Sequence, residues 1–150
     1  MKNDLLKTFG LFLLFTILIT SCKKSISEPE GKTDILTGAW QEVGLSGGFS
    51  RLVIFEPGGG FTLKASDKVG LSVTLKGKYS IENNNLKVNV TEETTRQDNG
   101  TMLKKAVNVE LYERGKFSIA NTVLTINCIT YPADAPVDTE FKYNKIIAID

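Results

Sequence analysis

From Leu71 to Glu82 the chain alternates without a break. Leu71, Val73, Leu75, Gly77, Tyr79 and Ile81 share one parity, and Ser72, Thr74, Lys76, Lys78, Ser80 and Glu82 take the other. Successive side chains of a β-strand point to opposite faces, so this period of two demands a long, half-buried strand. A helix would scatter the same apolar residues around its whole circumference.

The strand belongs to a repeated unit. Gly77–Asn89 (GKYSIENNNLKVN) aligns without gaps on Gly115–Asn127 (GKFSIANTVLTIN), and each copy reads as strand, turn, strand. Asn83-Asn84-Asn85 supplies the first turn, because asparagine tolerates the positive φ of tight hairpins. The alignment assigns faces. Val109, Leu111, Glu113, Gly115, Phe117 and Ile119 occupy the face of Leu71 to Ile81, and Leu124, Ile126 and Cys128 match Leu86, Val88 and Val90. Cys128 is therefore expected as a small buried hydrophobe. Glu113 stands where the first copy has Leu75. Either it is a polar group in a ligand cavity, or Glu113-Arg114-Gly115 is a bulge or strand end that reaches water.

Further strands follow the same grammar: Ala39–Val43, Phe49–Glu56, Phe61–Ala65 after the Pro57-Gly58-Gly59-Gly60 turn, two strands around Asp98-Asn99-Gly100, and Phe141–Ile149. The Gly58–Gly60 run lies between strands and lacks a following Lys-Ser/Thr and helix, so it is a hairpin turn and not a phosphate cradle. No stretch after the leader shows a helical period with caps. The pattern predicts an all-β, antiparallel domain of about eight strands, an up-and-down barrel or, alternatively, a two-sheet β-sandwich.

The N-terminus carries an address. Lys2 and Lys7 precede the apolar run Phe9–Thr20, which ends at Ser21-Cys22. A spanning helix needs about 20 apolar residues, whereas a secretory core has about 7–15. Ile19-Thr20-Ser21-Cys22 resembles the lipobox of bacterial lipoproteins. That resemblance implies cleavage after Ser21, lipidation of Cys22 and attachment to a membrane. Lys23 stands where an acidic residue often marks inner-membrane retention in this class, which implies the outer membrane of a Gram-negative envelope. Residues 1–21 are thus expected as signal peptide, 22–35 as lipidated cysteine and flexible tether, and 36–150 as the β domain. The polar residues 23–35 (KKSISEPEGKTDI) span on the order of 20 Å as a coil.

Composition excludes several functions. Loss of Lys2, Asp4 and Lys7 leaves basic and acidic residues in equal number. Such a chain has no field for nucleic acid. It contains no histidine, which removes Ser-His-Asp and Cys-His catalysis and histidine metal sites. With Cys22 acylated, Cys128 has no intrachain disulfide partner. No metal, cofactor or enzymatic activity is expected.

Gly38-Ala39-Trp40 opens the first strand after Ile35 and Leu36. Phe55, a glycine turn and Phe61 follow, then Gly77-Lys78-Tyr79 and the Leu86 strand. Over roughly residues 35–130 this is similar to bacterial lipocalin-like lipoprotein domains. The resemblance implies that Trp40 closes one barrel end and that the interior holds a small apolar ligand. A Thr-Asp-Tyr motif and a late arginine to stack on Trp40 are both lacking.

The expected function is binding of a small apolar or amphipathic molecule in the cell envelope. Arg51, Tyr79, Leu111, Glu113 and Phe117 are the candidate ligand-binding residues; Arg51 shares parity with Phe49, Val53 and Phe55, so it either points inward toward an anionic headgroup or sits at a strand end with its stem packed and its charge in water. The alternative is a protein-interaction module, an envelope inhibitor or accessory subunit. It would act through the polar segments 91–102 (TEETTRQDNGTM) and 131–140 (YPADAPVDTE), with Glu92, Glu93 and Asp98 as its surface.

Overall fold

The structure, a computed structural model, describes residues 35–147. The expected signal peptide, lipobox, Cys22 and most of the tether lie outside the described residues. Nine strands run in chain order: β1 Gly38–Glu42, β2 Ser50–Glu56, β3 Gly60–Ser66, β4 Ser72–Glu82, β5 Asn85–Arg96, β6 Met102–Glu110, β7 Glu113–Ala120, β8 Val123–Thr130 and β9 Val137–Lys145. A short 3-10 turn, Pro132–Asp134, precedes β9.

Every pairing is antiparallel, and the sheet closes on itself. The order is β4-β3-β2-β1-β9-β8-β7-β5-β6, with β4 also paired to β5. Eight strands make the barrel, and β6 is an additional strand on the outer edge of β5. The join between first and last strands is Trp40↔Lys145, Gln41↔Asn144 and Glu42↔Tyr143. Closure rules out the sandwich alternative and gives the architecture of a lipocalin-like barrel. The polar residues Glu92–Arg96 belong to the strand expected before Asp98-Asn99-Gly100, and pair with β4 on one side and β6 on the other. The last strand begins earlier than Phe141, since Thr130↔Val137 starts its ladder with β8.

The repeat has a physical basis at its first residue. Gly77 sits at a register shift of β4 on β5, and Gly115 at one of β7 on β8. A Cβ on Gly115 would lie 2.7 Å from the Leu86 carbonyl oxygen, and one on Gly77 would collide with that of Asn89. Both glycines thus let a bulged strand close against β5. The turn after the first copy's strand places Asn83 and Asn84 at φ 47° and 66°, the geometry of a tight hairpin.

The inward parities form one core. Trp40, Val53, Phe55, Phe61, Tyr79, Leu86, Val88, Val90, Phe117, Leu124, Ile126, Cys128 and Tyr143 are buried, with Leu36 and Tyr112 among them. One barrel end is shut. Leu36 and Trp40 are almost fully buried there, and the Trp40 indole N–H donates to the Leu36 carbonyl oxygen at 2.8 Å. The Lys145 ammonium stands 5.3 Å from the Trp40 ring centroid. A lysine from the last strand thus caps the Trp40 ring with a cation–π contact.

Candidate functional site

The opposite end is open. The chain segments joining β1 to β2 and β3 to β4 rise there beside the start of β4 and the end of β5. They enclose a cleft of about 530 Å³. Leu45, Phe49, Ala65, Leu71 and Val73 supply apolar wall, while Arg51 and Arg96 bring the cations. Phe49 is 62% exposed and Leu71 38%, so apolar side chains stand in water around the mouth. A third wall charge, Asp67, is already engaged: its Oδ1 accepts from the backbone N–H groups of Val69 and Leu71, both at 3.0 Å. That bond shapes the turn, and the cleft wall carries both signs, Arg51 and Arg96 against Asp67.

Arg51 is held from below. Its Nη1 donates to Glu42 Oε1 at 3.0 Å and Oε2 at 2.7 Å, and its Cζ lies 5.8 Å from the Phe141 ring centroid. Glu42 shares the inward parity of Trp40 on β1, and its side chain is only 8% exposed. An acid there needs a paired cation, since an isolated buried carboxylate is costly. Deeper still, the Tyr112 and Tyr143 hydroxyls meet at 3.1 Å. Burial pushes both phenols above the ordinary tyrosine range, and the negative charge of Glu42 pushes the same way. Burial likewise raises the Cys128 thiol, as suits a wall residue and not a nucleophile.

Of the five residues expected to meet a ligand, Arg51 lines this cleft. Tyr79 and Phe117 are buried in the packed part of the core, and Leu111 packs half-buried against that core. Tyr79 serves structure there: its backbone N–H bonds the Gly59 carbonyl at 2.8 Å, and its ring stacks edge-on to Phe55 at 4.9 Å. Glu113 is half-buried at the irregular start of β7, where Arg114 has φ 52°. The Tyr131 hydroxyl bonds Glu113, which raises the tyrosine's pKa. The bulge reading of Glu113-Arg114-Gly115 is the one the fold realises. Trp40 is buried beside Leu36, well away from the cleft.

Sequence reasoning missed Glu42, Leu45, Leu71 as a cleft residue, and Arg96. The signal for Glu42 was present, because it shares the parity of Trp40. For Leu45 and Phe49 the signal was two large apolar residues within and directly after the glycine-rich stretch Gly44–Gly48. Among the described residues, no group of three or more His, Cys, Asp or Glu side chains could hold a metal ion.

The fold and cleft define a lipocalin-like barrel with an apolar, cation-bearing mouth. No protein-family model, curated protein or solved structure matches the chain.

Proposed function

We propose that the protein is a lipid-anchored envelope protein whose barrel binds a small apolar or amphipathic molecule without transforming it. One observation carries this reading: a cleft of about 530 Å³ with apolar walls and two guanidinium groups, at the open end of the barrel. Ligand sites of this size are mostly apolar, with a few polar groups that fix orientation. The expected site therefore moves outward from Tyr79 and Phe117 to Leu45, Phe49, Leu71 and Val73, with Arg51 retained. The lipobox-like Ile19–Cys22 segment supports the anchor, and Lys23 supports the outer membrane. Absence of histidine from the whole sequence supports a binding role over catalysis.

Two measurements test it. Mass spectrometry of the protein taken from membranes should find a diacylglyceryl or triacyl group on Cys22, and Cys22→Ala should release the chain. Organic extraction of the Cys22→Ala protein should recover a small amphiphile in near-stoichiometric amount. An empty extract, with no uptake of added fatty acids or apolar dyes, would refute the binding role.

The interaction-module reading is favoured by the exposed β5–β6 hairpin, where Met102 and Leu103 are each more than half exposed. Pull-down from envelope extracts with Glu92, Glu93 and Asp98 changed to alanine separates it from ligand binding, since the cleft does not include those residues.

A further inference from the structure

The open end carries apolar side chains beyond the cleft walls. The segments joining β1 to β2 (residues 43–49) and β3 to β4 (residues 67–71) bear Val43, Leu45, Phe49, Val69 and Leu71, and all five are exposed. Val69 is 78% exposed and is no part of the cleft wall. The two segments touch, since a Cβ on Gly48 would collide with the Lys68 side chain. Each is also braced. The Val43 N–H donates to the Lys142 carbonyl at 2.8 Å, and the Asp67 N–H to that of Leu71 at 3.1 Å. The apolar tips thus stand as one preformed rim around the mouth.

Charge at this rim is balanced. Residues 43–50 carry none. Lys68 and Arg96 are matched in number by Asp67 and, in the next turn, Asp98, while Arg51 is paired with Glu42. Apolar tips among glycine and serine, with no net charge, suit the surface of a phospholipid bilayer, where binding grows with the apolar area that enters the acyl boundary. Such a surface is also within reach. Cys22 to Asp34 is 13 residues, which extend to about 43 Å. The seven residues of β2 set the rim only about 23 Å from the shut end, where the tether joins. A chain lipidated at Cys22 therefore holds its own bilayer at high effective concentration beside the rim.

We propose that this rim docks on a phospholipid bilayer, with Phe49 and Val69 inserted at the acyl boundary and the cleft mouth opening onto the membrane. The reach rests on the lipid-anchor reading; the insertion itself does not. An amphiphile then passes between bilayer and cleft without crossing water.

The test is quenching by phospholipids brominated on their acyl chains. The full chain, taken from membranes in detergent, is reconstituted in phosphatidylcholine vesicles that contain them. Trp40, the only native tryptophan, is buried at the shut end and sets the background. Val69→Trp should be quenched about threefold more than the wild-type chain, as a side chain at the acyl boundary is. Ile147→Trp, at an exposed position beyond β9 at the shut end, should stay at background. Phe49→Asp added to Val69→Trp should remove most of the quenching while circular dichroism shows the barrel folded. Because the rim is neutral, adding phosphatidylglycerol should change the quenching less than about twofold. Ala65→Phe added to Val69→Trp fills the cleft and should leave the quenching intact. If it abolishes the quenching, the quencher was a lipid seated in the cleft; docking is then overturned while ligand binding stands. Background quenching at Val69→Trp, or equal quenching at Ile147→Trp, also overturns docking. A chain with no acyl group on Cys22 that is still quenched at Val69→Trp on mixing with the same vesicles removes the anchor and upholds the docking.

Discussion

Arg51 and Glu42 form a salt bridge at 2.7 Å that joins the floor of the open cleft to the barrel interior. The guanidinium is one-third exposed and the carboxylate nearly buried, so the pair has one wet partner and one dry one. Removing the dry partner returns Arg51 to solvent at little cost. Removing the wet partner leaves a buried carboxylate unpaired, which is costly. Arg51→Ala should therefore destabilise the fold by about 2–3 kcal/mol and Glu42→Ala by clearly less. Chemical denaturation of both variants checks the order.

Gly77 and Gly115 give a sharper test of the repeat. Gly77→Ala and Gly115→Ala each push a methyl group into a neighbouring carbonyl oxygen of β5. Each should cost more than about 2 kcal/mol, as overpacking does. Gly58→Ala, where nothing lies within 4 Å of the added Cβ but φ is 75°, should cost only about 1 kcal/mol. Thermal unfolding of the three variants should separate them in that order.

The buried tyrosines set an alkaline limit. Burial raises Tyr112 and Tyr143 in the folded chain, while the unfolded chain ionises them near pH 10. Above that pH the unfolded state holds fewer protons than the folded one, so stability falls as pH rises. The loss should be about 1.4 kcal/mol per pH unit for each tyrosine. Below about pH 9 their contribution is fully present. Absorbance titration should show two tyrosines ionising only as the circular dichroism of the barrel is lost. Tyr112→Phe should reduce the slope.

Most of the barrel was legible in the sequence because alternation and turn chemistry are local. The period-two run of β4, the Asn83-Asn84 turn and the aligned copy at Gly115 identify strands and faces before any contact is known. They also place Cys128 in the wall, where it is 5% exposed. The cleft was not legible in the same way. Its walls come from Leu45 and Phe49 before β2, Ala65 on β3 and Leu71 to Val73 at β4, and only the cross-strand register Arg51↔Ala65↔Val73↔Thr95 brings them to one end. Tyr79 and Phe117 have the inward parity expected of ligand contacts, but parity does not say how far along the barrel the packing reaches. Lys145 escaped notice for a similar reason. Its position over Trp40 depends on the β1–β9 register, not on any motif.

Trp40 offers an intrinsic reporter of the shut end, since it is the only tryptophan in the chain. Its indole is buried and bonded to the Leu36 carbonyl, so its emission should be blue-shifted and poorly quenched by acrylamide. Trp40→Ala should cost about 3–5 kcal/mol. Trp40→Phe should cost less, losing the hydrogen bond and part of the packed indole volume, as denaturation midpoints will show.

The central claim is that the open-end cleft is the binding site, and one titration addresses it directly. A fluorescent fatty-acid analogue should bind the wild-type chain at a single saturable site. Val73→Trp and Ala65→Trp, which fill the cleft from its wall, should abolish that binding while the barrel stays folded by circular dichroism. Arg51→Gln should weaken an anionic probe more than its neutral alcohol. Undiminished binding in both tryptophan variants, or no saturable binding to the wild-type chain, would contradict the account.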